Sequence, residues 1–373
     1  MATQIEKPKL IMDGHKLNWH LDRVAQWNRG ERIAPILIDM ALTKGCDAKC
    51  TFCYAWMQKN RGKAITETVM DNFMDDCERM GVRAVSLLSD GESVLSPVYV
   101  HTIKAAAEHG IPIASGSNCH RLTPDKQEEV LKHLSYVRIN FPAGTKDRYC
   151  EIMQVPGSFY EETSDNVRSM VAIKKRDDLD VTIGLQMVLM PQDADQIIPF
   201  VKKAKEFGVD YAVIKHCADD EDGYLGVDYS KYKDLIPVLE EAEGLAEEGF
   251  GVHAMWSKML MGAERTYERC YGPPFLIQIS GSGVVAPCGD KFATKYAEQF
   301  HIGNICEDRW YDIWQSERYW EVMDYLKGGE FNPQTACGPL CRQHKINEAL
   351  DAHERGIVPL RASEDIPQHV NFL

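Results

Sequence analysis

Three cysteines, Cys46, Cys50 and Cys53, fall within eleven residues, Lys44 to Tyr54, at the spacing C-x3-C-x2-C. Thiolates this close in sequence can cap three corners of one cubic iron–sulfur cluster and leave its fourth iron without a protein ligand. An open iron is one that a small molecule with an amine and a carboxylate can chelate. A zinc knuckle would want a fourth Cys or His close by, and the nearest histidines are His20 and His101. A disulfide framework does not suit a chain of 373 residues whose opening stretch, Met1 to Lys7, lacks the apolar core of a signal peptide.

A second set lies far downstream. Cys270 is followed by twelve residues, Gly283, four residues and Cys288, and then by Cys337 and Cys341. Two apolar runs, Leu276 to Ile279 and Val284 to Cys288, flank a Gly/Ser turn and read as a β-hairpin between the first two of these cysteines. Four thiolates complete a site for a second cluster, and structural zinc is the alternative, since all-cysteine zinc sites use similar pairs. Cys306 stands apart from both sets. Cys77 and Cys150 read as ordinary single thiols. Cys119 and Cys217 differ in that each follows the C-terminal end of an apolar strand.

With Phe52 before its last cysteine, the first motif has the form C-x3-C-x-aromatic-C, which resembles the signature of the radical S-adenosylmethionine (SAM) enzymes. The resemblance implies a [4Fe–4S] cluster on Cys46, Cys50 and Cys53 that binds SAM and splits it to a 5′-deoxyadenosyl radical, with the cofactor doing the hard chemistry. Ser89-Asp90-Gly91-Glu92-Ser93 looks like the family's Gly-Gly-Glu motif, with Asp90 in place of the first glycine and Ser93 in place of the usual proline. By that likeness Gly91 and Glu92 seat the amino end of SAM. Ser117, with Asn118 beside it, and Asn140 stand where the family has ribose- or carboxylate-contacting residues. The downstream cysteines, with Gly303-Asn304-Ile305 before a helix containing Asp312-Ile313-Trp314, resemble the SPASM extension or its shortened twitch form. Cys270, Cys288, Cys337 and Cys341 would then hold an auxiliary [4Fe–4S] cluster.

The elements that must position these residues alternate. Apolar strands are expected at 35–42, 83–88, 111–115, 136–141, 181–189 and 211–215. Helices are expected at 66–80, 97–109, 124–134, 160–175, 195–207 and 232–248. Strands alternating with helices mean parallel pairing with helices outside. Six such units suit a partial (β/α)6 TIM-like barrel at 35–249, preceded by a helical lead-in at 1–34. A small α+β SPASM/twitch-like domain with its hairpin follows at 250–373. The cysteine loop at a strand's C-terminal end favours the barrel over an open doubly wound sheet.

A net charge of −14 argues against nucleic acid as the partner, and no apolar run reaches the length of a membrane span. The expectation is a cytoplasmic enzyme served by a reducing partner such as flavodoxin or ferredoxin. Its main expected reaction is oxidation or epimerisation of a small polar substrate, a sugar or aminocyclitol-like alcohol. Lys215 or His216 would take the hydroxyl proton, and Cys217 or Cys119 would return hydrogen in an epimerase. The lead-in is too short for a leader-peptide-binding domain of the winged-helix kind. The alternative is a radical SAM maturase that modifies a peptide or protein side chain.

Overall fold

The computed structural model describes residues 9–55, 58, 62–261 and 264–373, so the opening stretch read above for a signal peptide lies outside the described residues. Among these, one sheet contains β1 (Leu37–Met40), β2 (Ala84–Leu87), β3 (Ile113–Ser117), β4 (Leu134–Asn140), β5 (Thr182–Leu189), β6 (Tyr211–His216), β7 (Gly251–Ala254), β8 (Leu276–Ile279), β9 (Val284–Ala286) and β10 (Gly303–Asn304). Their order is β10-β9-β8-β1-β2-β3-β4-β5-β6-β7. Every neighbouring pair from β8 through β1 to β7 is parallel, and only the β8–β9 and β9–β10 pairs are antiparallel. β1, β2 and β5 are buried at every residue, the pattern of strands covered on both faces. The fold is a partial TIM-like α/β barrel with a C-terminal extension.

The barrel runs further than six units. β7 pairs with β6 just past the boundary expected at 249, and β8, the first hairpin strand, pairs with β1 from Leu37↔Leu276 to Met40↔Ile279. The extension therefore continues the barrel sheet. β7 escaped notice because it has four residues, begins at Gly251 and buries only Val252 and Ala254 fully.

The helices follow local chemistry. Thr66 caps the helix Glu67–Met80 by accepting from the Val69 amide, and Gly81, at φ +76°, ends it in the left-handed region. A helix at Lys146–Met153 was not foreseen, because it is short and polar at its start. The helix expected around Asp312-Ile313-Trp314 is Trp310–Gln315, and a second, Glu317–Lys327, follows it. Ser316 breaks them with extended backbone and caps the second by accepting from the Tyr319 amide at 3.2 Å. The lead-in helix, Leu21–Asn28, sets Trp27 edge-on to Tyr271 and Phe275, beside Cys270. Among the described residues, no helix is long and apolar enough to cross a membrane.

Candidate active site

The loop after β1 carries the cysteine triplet and is fastened from several sides. The helix Lys146–Met153 accepts two of its amides, Lys49 N–H at Met153 O (3.1 Å) and Thr51 N–H at Ile152 O (2.9 Å). Asp47, between Cys46 and Cys50, accepts from Asn118 Nδ2 at 2.7 Å and pairs with the His120 ring at 2.7 Å. Both partners lie just beyond β3. The Glu92 amide donates to Gly45 O at 2.8 Å. Gly91, at φ +76°, lies so close that an added Cβ would stand 2.1 Å from Thr43 O. A Cβ on Gly281, in the hairpin turn, would stand 2.2 Å from the Thr43 carbonyl carbon. The Asp-Gly-Glu turn and the hairpin turn thus both press on the same loop.

Asp90 ties these pieces together. Its Oδ1 accepts the Gly281 amide at 2.8 Å, and its Oδ2 lies 3.3 Å from Lys44 Nζ. Where the family carries glycine, this chain has a buried carboxylate strapping the cysteine loop to the C-terminal hairpin. Burial raises its pKa, with Lys44 and the Gly281 amide pulling the other way. Glu92 is 4% exposed. Its Oε2 accepts the Asn118 amide at 2.7 Å and its Oε1 the Val94 amide at 3.3 Å. Burial pushes its pKa up to about 7 against those donors. A buried carboxylate held only by neutral donors suits an added cation such as an ammonium.

Each cysteine set behaves as a group. Burial pushes the Cys50 thiol well above its ordinary range, and the charges of Cys53 and Cys46 add to the rise. Burial likewise raises Cys270, Cys288 and Cys337, each further lifted by other thiols of its own set, and it raises Cys341. Such crowded, desolvated thiols are poor thiolates alone, and iron would invert that preference. Among the described residues, no three His, Cys, Asp or Glu side chains converge as a single ion requires. A cubane, with its thiolates at separate corners, does not need them to. Both donor sets fit four-iron clusters. Two contacts join the sets: Tyr54, next to Cys53, donates its hydroxyl to Asp290 Oδ1 at 2.6 Å, and Gln58 donates to Gly289 O at 2.8 Å.

A cavity of about 440 Å³ reaches both sets, with Cys53 and Cys341 in its wall. All five side chains or backbones expected around SAM line it: Phe52, Gly91, Glu92, Ser117 and Asn140. Lys215 and His216, the expected proton acceptors, line it too. The two expected hydrogen donors do not. Cys119 is fully buried at φ +65°, and Cys217 is fully buried with its Sγ 3.5 Å from Phe52 O. Neither thiol is among the residues lining this cavity. Cys306 Sγ lies 3.7 Å from Lys63 O.

Sequence reading passed over several wall residues: Arg138, Gln186, Tyr211, Lys258 and Arg342. The signal for the first was present. In β4, Tyr136, Arg138 and Asn140 alternate with Val137 and Ile139, and the polar set faces inward. Gln186 of β5 donates to Asn140 Oδ1 at 2.5 Å, extending that polar row to the next strand.

The comparisons with known proteins agree with this geometry. The model of the radical SAM superfamily matches residues 40–204, and that of an iron–sulfur cluster-binding domain, SPASM, matches residues 270–343. Mycofactocin maturase MftC of Mycolicibacterium smegmatis is 24% identical over 82% of this chain and 76% of its own. The AdoMet-dependent heme synthase of Methanosarcina barkeri is 21% identical over 84% of this chain and 90% of its own. Among solved structures, Streptococcus suis SuiB bound to S-adenosylmethionine superposes with a TM-score of 0.62 at 15% identity, covering 95% of this chain and 81% of that one. The same protein bound to its precursor peptide SuiA gives 0.61. The chain belongs to the radical SAM superfamily with a C-terminal SPASM domain, and its cofactors are S-adenosylmethionine, a [4Fe–4S] cluster and an auxiliary [4Fe–4S] cluster.

Proposed function

We propose that this radical SAM enzyme is a maturase that modifies a side chain of a peptide or protein. Cys46, Cys50 and Cys53 hold the cluster that binds SAM, and Cys270, Cys288, Cys337 and Cys341 hold the auxiliary one. When bound, these groups supply hydrogen abstraction at an unactivated carbon and an acceptor for the electron left behind.

The chain's own residues do the rest. Glu92 offers a fixed, desolvated carboxylate to the SAM ammonium. The Asn140–Gln186 pair presents amides to its sugar and carboxylate. Phe52, Leu87, Leu88 and Phe292 contribute apolar wall that keeps water from a reactive carbon. His216 is held neutral by burial and by the neighbouring Lys258 and Lys215, and its Nδ1 has no hydrogen-bond partner. A neutral imidazole in the cavity wall can take a proton from the substrate.

The observation that carries the reading is a cavity walled by cysteines of both sets. A substrate carbon there lies between the abstracting group and the acceptor. The choice of a peptide over a sugar or aminocyclitol draws support from the relatives, a maturase among them, and from the fold shared with a protein that binds a precursor peptide. The test is SAM cleavage by reconstituted, reduced enzyme offered small peptides encoded beside its gene, and separately a panel of sugars and aminocyclitols. The reading expects 5′-deoxyadenosine release stimulated by a peptide whose mass changes. Stimulation by an alcohol alone, with label passing from a deuterated carbinol, would replace it with alcohol oxidation.

A further inference from the structure

Much of the cavity wall is cationic, although the chain carries a net charge of −14. Lys16, Arg138, Lys215, Lys258, Arg342 and Lys345 all line it. The acids in the same wall already have partners. Asp13 accepts the Ser257 amide at 2.7 Å, Asp290 accepts from Tyr54, Asp90 is strapped to Gly281 and Lys44, and Glu92 takes two backbone amides.

The cations are not equally placed. Lys16 donates to His369 O at 2.8 Å and to Phe372 O at 2.7 Å. Arg342 holds Asp39 at 2.9 Å, and Lys345 holds Glu348 at 2.7 Å. Among the described residues Arg138 has one hydrogen bond, to the Tyr211 hydroxyl at 3.3 Å, and lies 5.3 Å from the face of Tyr136, with Asp39 adding an attraction through space. Lys215 and Lys258 have neither a hydrogen bond nor an ion pair among the described residues. Beside them His216, 5% exposed, leaves its Nδ1 unpartnered. The groups facing Lys215 repel it: Arg138 from β4, Lys258 from the helix Trp256–Leu260, and Arg342 from the segment after Cys341. With burial as the larger cause, they bring its pKa down to about 8, against a small opposing pull from Cys217.

SAM does not account for these charges, and the cluster thiolates account only in part for Lys258, which Cys341 and Asp13 draw toward them. SAM is itself a net cation and adds to them. The C-terminal thiolates have cations of their own, since Arg265 faces Cys337 and Cys341 while Lys291 faces Cys288. Unpaired ammonium groups in a desolvated wall are costly unless a bound anion compensates them. We propose that the part of the substrate seated in the barrel carries at least two negative charges, carboxylate or phosphate, gripped by Arg138, Lys215 and Lys258. This rests on the peptide-modifying reading, in which the charges belong to acidic or phosphorylated side chains next to the modified one.

The experiment uses the full-length, anaerobically reconstituted holoenzyme at constant ionic strength. The probes are citrate, inorganic phosphate, a pentapeptide of Asp and Glu, and its Asn and Gln counterpart. Affinity is read by calorimetry, and the thermal midpoint with each probe. The acidic peptide is expected to bind at least about tenfold tighter than the neutral one. Lys215→Met should erase most of that preference without lowering the midpoint of the unliganded protein, because it removes a repelled charge. Comparing citrate with phosphate assigns the anion's chemistry. Equal binding of the two peptides, or a preference that survives in both Lys215→Met and Arg138→Met, overturns the proposal while leaving the peptide reading standing. Lys215-dependent citrate binding with no binding of either peptide keeps the anion site and sinks the peptide reading.

Discussion

The two cysteine sets differ in how the chain holds them, and the difference assigns their work. The triplet Cys46, Cys50 and Cys53 sits on one loop, with Cys46 exposed, and the loop is fixed by backbone contacts from three other segments. The downstream four come from three separate stretches. They are brought together by the β8–β9 hairpin and by Asn347, which accepts the Tyr271 amide at 2.7 Å and donates to Cys270 Sγ at 3.7 Å. The first arrangement leaves a coordination position free beside a cavity. The second supplies four thiolates and is closed. On the proposed assignment the open set would bind SAM and the closed set would accept the substrate's electron.

The sharpest way to break this contrast is to remove one set at a time. Replacing Cys46, Cys50 and Cys53 by Ala should abolish 5′-deoxyadenosine release and leave about half of roughly eight irons per chain. Replacing Cys270 and Cys288 by Ala should instead leave SAM cleavage and stop product formation. A zinc content at the downstream set would remove its electron-accepting role. Next in size is Glu92→Ala, expected to weaken SAM binding by about tenfold or more while iron content holds, since a charge-assisted contact is lost. Equilibrium dialysis with SAM checks it, and unchanged binding would show that the Asp-Gly-Glu turn is only a turn.

Gly91→Ala probes the loop's clamp. Both the left-handed φ and the approach to Thr43 oppose a Cβ, so about 1–3 kcal/mol of stability should be lost on denaturant unfolding. The smallest effect concerns pH. Lys215 has its pKa lowered from 10.5 to about 8 in the folded chain. Between those values the unfolded chain binds the extra proton, so this residue makes stability rise with pH across that window. Lys215→Met should flatten the rise and, below it, gain about 1 kcal/mol. An unchanged pH profile would show the ammonium to be well solvated.

Much of this was legible from sequence because it is local. The triplet spacing, the hairpin between Cys270 and Cys288, and the apolar strands are patterns within short windows. What escaped depends on distant pairing. β7 and the parallel partnership of β8 with β1 are set by the sheet's closure toward a barrel, and no period in either segment announces them. Asp90 read as a departure from the family's glycine. Its meaning lies in Gly281, 191 residues away, whose amide it binds. The hydrogen-donor role expected of Cys119 and Cys217 came from their place after strands. Whether such a residue faces the cavity or the packing behind it turns on the loop's backbone, here the left-handed φ of Cys119. The cationic wall was missed because its members come from five different segments.

The division of labour between the sets has one direct test, electron paramagnetic resonance of the reduced holoenzyme with and without SAM. SAM should shift the signal of one cluster and leave the other unchanged. The shifting signal should vanish in the Cys46/Cys50/Cys53→Ala variant and persist in Cys270/Cys288→Ala. A SAM-induced shift that survives loss of the triplet, or that follows the downstream set, would contradict the assignment of the open site to the loop after β1.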